Sequence, residues 1–142
     1  MQRVTIVLLM FCVGFLRAEK PGVYLVAEKL GDVLESFIYC FEKTPLDPDV
    51  LEQIRQGKVP KKADEKALEN FVYCSFTKSK IGLKDGHVIV EKALDLYPKN
   101  VDLAKLKKAM EECNRDSGKT PAETSLLVLK CFREKSPVRT LF

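Results

Sequence analysis

Five cysteines and a single histidine hold most of the reactive chemistry open to this 142-residue chain. Cys12 lies in an apolar leader, whereas Cys40, Cys74, Cys113 and Cys131 are spread through the body. Structural zinc sites draw their thiolates in close pairs from short loops, yet no two of these four are nearer than 18 residues. No metal site is expected. An even number of cysteines in a small exported domain implies two disulfides instead, and sequence alone leaves three pairings open. His87 falls in the turn Lys84-Asp85-Gly86-His87 with no nucleophile motif beside it. A general base needs a partner within hydrogen-bond reach, so His87 reads as a solvent-exposed turn residue. The sequence contains no phosphate-binding glycine loop, His-Glu-x-x-His motif, EF-hand loop or Asn-x-Ser/Thr site. Asp47 and Asp49 imitate a calcium loop by proximity alone, and helix capping accounts for them. No catalytic residue, enzymatic activity or cofactor is expected.

Arg3 precedes an apolar run from Val4 to Leu16 that Leu16-Arg17-Ala18 closes with a small residue. This is the pattern of a secretory signal peptide over residues 1–18, cleaved after Ala18. The run is shorter than the roughly 20 apolar residues a spanning helix needs, and Thr5 and Gly14 interrupt it. Cleavage leaves residues 19–142, a single extracellular domain of 124 residues, large enough to bury a core and small enough to gain from covalent staples. Losing Arg3 and Arg17 lowers the formal charge from +4 to +2, which gives no electrostatic case for a nucleic-acid partner. The lysine runs at Lys58 to Lys66 and Lys105 to Lys108 are mixed with Asp64, Glu65, Glu111 and Glu112, as on solvated helix faces. Stable membrane insertion is not expected either.

Positioning the cysteines falls to helices, because apolar residues recur with helical period and no strand-like alternation of useful length appears. A first helix is expected from about Val23 to Phe41, with Leu30, Val33, Leu34, Phe37, Ile38 and Phe41 on neighbouring faces and an end set by Thr44-Pro45. Asp47-Pro48 starts a short helix that stops near Gly57. A third begins near Asp64, packs Leu68, Phe71 and Val72 inward, and ends before Gly82 and the Lys84-Asp85-Gly86 turn. Val88 to Val90 is strand-like, but the following residues favour a short helix from about Val90, stopped by Pro98. Asn100 is the expected cap of the fifth helix. Thr120-Pro121 caps the sixth, with Glu123 completing a capping box, and this helix is apolar almost all round, as a central helix is. A non-helical tail ends in Leu141 and Phe142.

Six helices, a signal peptide and this cysteine layout together resemble the insect odorant-binding (pheromone-binding) family. That family has six cysteines, three residues separating the second from the third and eight the fifth from the sixth. Those missing positions fall here on Asn70 and Ala122, whose context is kept by Phe71 to Phe76 and by Thr120-Pro121. The second and fifth cysteines bond to each other in the family, so the chain lacks both ends of one bridge, as in the minus-C subclass. The resemblance implies an all-α, six-helix fold around a hydrophobic cavity, with bridges Cys40 to Cys74 and Cys113 to Cys131. It also implies a broader ligand range and lower stability than a three-bridge relative has.

Apolar residues in excess of simple helix packing supply a candidate ligand-binding set: Leu34, Ile38, Leu51, Ile54, Phe71, Phe76, Leu94, Leu106, Met110, Leu126, Leu129 and Phe142. Residue by residue these suit a filled core; the resemblance is what makes them a cavity lining. Tyr39, Tyr73 and Tyr97 could offer hydroxyls to a ligand, though each suits a boundary site with its tip in water. Leu141 and Phe142 are candidates for a lid. The expected function is a secreted carrier of small hydrophobic molecules such as odorants, pheromones or lipid-like ligands, working as a monomer or weak homodimer, with a membrane receptor as a further partner. A secreted helical signal or effector acting through a protein receptor is the alternative, and a membrane-active helical domain would need a clearer basic amphipathic face.

Overall fold

The computed structural model describes residues 20–44, 46–56, 58 and 65–141. The leader, Asp64, Gly57, Pro45 and Phe142 lie outside the described residues. The described elements run in the order β1 (Gly22–Tyr24), α1 (Ala27–Lys43), α2 (Pro48–Arg55), α3 (Glu65–Lys78), α4 (Val90–Leu94), α5 (Leu103–Cys113), α6 (Pro121–Lys135) and β2 (Arg139–Leu141).

Two helix starts follow directly from local chemistry. Asp47 accepts from the Asp49 N–H at 2.8 Å with Pro48 in the first turn of α2, and Thr120 accepts from the Glu123 N–H at 3.1 Å with Pro121 in the first turn of α6. Each cap satisfies an otherwise orphaned donor. The Glu123 carboxylate reaches back to the Lys119 N–H at 3.3 Å, one residue beyond the expected Thr120. Asn100 does not cap α5. It belongs to the turn after Pro98, and Asp102 takes the role by accepting from the Lys105 N–H at 3.1 Å. α3 ends at Lys78, and the left-handed residue just beyond it is Lys80, with φ 63°, rather than Gly82.

The helical body is as expected, and the start of the first helix is corrected. Val23 and Tyr24 do not open α1; they form β1, which pairs in parallel with the C-terminal β2, placing Val23 opposite Thr140. Arg139 donates its N–H to the Pro21 carbonyl at 2.9 Å, and Val26 donates to the Leu96 carbonyl at 2.8 Å. Together these bonds hold the N-terminal segment away from a helical path. The two ends of the domain are thereby tied to each other and, through the Tyr97 hydroxyl and Thr140 Oγ1 at 2.5 Å, to the turn after α4.

Disulfides join Cys40 of α1 to Cys74 of α3 and Cys113 of α5 to Cys131 of α6, with Cα–Cα distances of 5.7 and 5.5 Å. α6 packs on both α3 and α5, so it is central. One side of the core gathers Phe71, Leu68, Ile54 and Leu126, and the other Leu25, Val33, Leu106 and Met110, with Phe37 touching both. Burying a side chain the size of Phe71 stabilises by about 2–3 kcal/mol.

His87 is also corrected, since it is only partly exposed. Its Nδ1 lies 3.1 Å from the Asp85 carboxylate, and its Nε2 lies 2.9 Å from the Asp116 carbonyl and 3.1 Å from Ser117 Oγ. The imidazole therefore fastens the α3–α4 loop to the α5–α6 loop. Hydrogen bonds from the backbone and ring of His87 hold the Asp85 carboxyl below the usual carboxylate range.

Candidate functional site

The helices do not meet along their full lengths. Between the two sides of the core lies a cavity of about 620 Å³, within the roughly 300–1,000 Å³ range of small-molecule sites. α3 contributes Phe71, Val72 and Phe76, α6 contributes Val128, Leu129 and Phe132, and α1 contributes Val33 and Phe37. Leu25, Ala93, Tyr97, Met110 and Val138 add to the inner wall. Such a surface holds a guest by removing its apolar area from water, and the Met110 thioether adapts to irregular shape.

Of the residues expected to bind ligand, Ile54, Phe71, Phe76, Met110 and Leu129 line this cavity. Leu106 and Leu126 are buried in the core, with Leu51 and Leu94 packed against it, but none of the four lines the cavity. Leu34 and Ile38 do not face inward: they are 38% and 65% exposed. The inward face of α1 is instead set by Cys40, because the bridge to α3 fixes the helix rotation and brings Val33 and Ser36 to the buried side. Phe142 is outside the described residues.

The three tyrosines separate in role. Tyr39 stays partly exposed, its ring 4.2 Å below the Lys78 ammonium, and Tyr73 donates to the Lys84 carbonyl at 2.9 Å. Tyr97 is buried, contrary to the expected boundary position, and it lines the cavity. Desolvation pushes its phenol above the ordinary tyrosine value, so the neutral hydroxyl bonded to Thr140 is the form that fits. One edge of the cavity is polar. Lys20, Lys130, Arg133, Glu134, Arg139 and Thr140 collect where the end of α6 meets the small sheet, and Lys20 and Glu134 reach solvent there. Among the described residues no cluster of metal-ligating side chains occurs, and no helix is long and apolar enough to cross a membrane.

Among the described residues, six helices, two bridges and an apolar hollow open at one edge define a class of small disulfide-clipped helical binding domains. The chain belongs to the PBP/GOBP family, whose model matches residues 25–135. That family consists of binding proteins, and the two bridges fit its minus-C type. An odorant-binding protein of the locust Locusta migratoria superposes with a TM-score of 0.65 at 17% identity, over 80% of this chain and 86% of that one. A fatty acid binding protein from the oral disk of the blowfly Phormia regina gives 0.58 at 24% identity, over 78% and 94%. A medfly odorant-binding protein gives 0.56 at 22% identity, over 74% and 88%. At these identities the likeness is one of fold. No curated protein matches the sequence.

The resemblance places the missing bridge between Asn70 of α3 and Ala122 of α6. Those helices are held instead by their packing and by the Lys130–Glu65 ion pair at 2.8 Å. Asn70→Cys with Ala122→Cys is expected to raise the melting temperature by about 5 °C, since engineered bridges deliver less than chain entropy alone suggests. Mass spectrometry must show the bond. A formed bond with no rise would mean that these two positions are not the counterparts of the family's second and fifth cysteines.

Proposed function

We propose that this chain is a secreted carrier that reversibly binds small hydrophobic molecules and moves them through aqueous fluid, after loss of a signal peptide at residues 1–18. The apolar cavity, open at its polar edge, carries this reading. Membership of a binding-protein family supports it, and the blowfly relative, a fatty acid binding protein, supports a guest with a hydrocarbon tail. The cavity-lining set Ile54, Phe71, Phe76, Met110 and Leu129 makes the main contacts with the guest. A monomer or weak homodimer suffices, because the cavity is built from one chain. The direct test is uptake of the fluorescent hydrophobic probe N-phenyl-1-naphthylamine and its displacement by volatile alcohols, esters and fatty acids. A protein that takes up no probe and releases no bound small molecule on solvent extraction would sink the carrier reading.

The C-terminal strand is the movable wall in this reading. Val138 is buried and lines the cavity beside Thr140, while β2 is held to the body by a three-residue pairing and the Tyr97 bond. Truncation after Pro137 removes all of these contacts and is expected to speed probe dissociation about tenfold, the equivalent of 1.4 kcal/mol. Stopped-flow release measures it. An unchanged rate would place the exit elsewhere.

A further inference from the structure

Charged side chains gather on one edge of the cavity. Lys20, Lys130, Arg133, Glu134 and Arg139 all contribute to the lining. Lys130 is paired with Glu65 at 2.8 Å, so its charge is already met. Lys20 donates to the carbonyls of Arg133 and Glu134 at 2.8 and 2.6 Å, where it offsets the negative end of α6. Without that ammonium the helix terminus would repel an anion.

Arg133 is the informative group. It is half-buried, and its hydrogen-bond partner among the described residues is the Lys58 carbonyl, which accepts from Nη1 at 3.0 Å. Desolvation lowers its proton affinity, and no carboxylate among the described residues acts to restore it. A guanidinium has five donors in a planar fork, and one carbonyl leaves most of that fork for another acceptor. Arginine at a partly dry edge matches a planar carboxylate through two parallel hydrogen bonds, which a neutral hydroxyl or ester cannot supply. Behind this edge the wall turns apolar at Phe132, Val128 and Phe71.

We infer that the guest is a linear carboxylic acid, its carboxylate seated against Arg133 at the edge where α6 meets the sheet and its hydrocarbon tail in the inner cavity. This inference rests on the carrier reading above and adds the chemical class and polarity of the guest.

The test compares dodecanoic acid, dodecanol and methyl dodecanoate as competitors for N-phenyl-1-naphthylamine, on the wild type and on the Arg133→Gln and Arg133→Lys variants. The acid is expected to bind about tenfold more tightly than the alcohol or the ester, as a charge-assisted pair implies. Arg133→Gln should abolish that preference while leaving dodecanol affinity within about twofold, and Arg133→Lys should keep part of it. Equal affinity of the wild type for acid and alcohol overturns the assignment while the carrier reading stands. So does a parallel weakening of all three competitors in Arg133→Gln, which would mean that the arginine only supports the fold. Failure of the wild type to take up the probe at all removes both readings together.

Discussion

Replacing Cys40 and Cys74 together with serine will lower the unfolding free energy by about 3–4 kcal/mol and the melting temperature by more than 10 °C. The bridge closes a sequence separation of 34 residues, against 18 for Cys113–Cys131, and constraint on the unfolded chain grows with the length of the loop. Deleting the second bridge should therefore cost slightly less, by about 0.5 kcal/mol in the chain-entropy model. Position adds to length. Cys40 and Cys74 fix α1 on α3, beside the contact between the Phe37 and Phe71 rings at 5.8 Å, and both rings line the cavity. Losing this bridge should weaken probe binding as well as stability, whereas a bridge joining α5 to α6 bears less on that wall. Chemical denaturation of both double variants, with probe titration, checks the ordering. If the Cys40–Cys74 deletion melted within 2 °C of the wild type, α1 would have to be held by contacts other than this bridge and the ring pair beside it.

What sequence reasoning recovers and what it misses divide along the range of the interactions concerned. Asp47-Pro48 and Thr120-Pro121 mark helix starts because a cap and the N–H it accepts from lie within three residues of each other. The turn at Gly86 and the stop near Pro98 are equally local. β1 and β2 leave no such trace: each is three residues long, and their pairing depends on segments more than a hundred residues apart. His87 escapes a local reading for the same reason, its partners at Asp116 and Ser117 being 29 and 30 residues away. Within the cavity, helical period gives α1 a broad apolar stripe but not its rotation. Val33 lies seven residues before Cys40, so the bridge itself is the signal that Val33 faces inward while Leu34 and Ile38 turn outward. Leu51, Leu94, Leu106 and Leu126 cannot be told from lining residues by type, since core and cavity wall use the same side chains. Arg133 has no sequence signal at all; only its place at the edge of the hollow gives it a role.

Two glycine-to-alanine substitutions should move stability in opposite directions, and the contrast isolates what the α3–α4 loop does. Gly86 has φ +96°, and a Cβ there would stand 2.1 Å from the Pro121 carbonyl oxygen and 2.9 Å from the Thr124 Cβ. Its own carbonyl accepts from the buried Ser125 hydroxyl at 2.8 Å, so the backbone cannot retreat without leaving that hydroxyl unpaired. Backbone strain of about 1–2 kcal/mol and overpacking of about 1–3 kcal/mol therefore combine, and Gly86→Ala should destabilise by about 3–4 kcal/mol. Gly31 is exposed in the middle of α1 with nothing within 4 Å of where an alanine methyl would stand, and alanine there restricts the unfolded chain while suiting the helix. Gly31→Ala should stabilise by about 0.5–1 kcal/mol. Urea titrations at one temperature give both values. A Gly86→Ala loss below 1 kcal/mol would mean that the loop does not seat on the first turn of α6, and the link from α3 through His87 to the central helix would have to be redrawn.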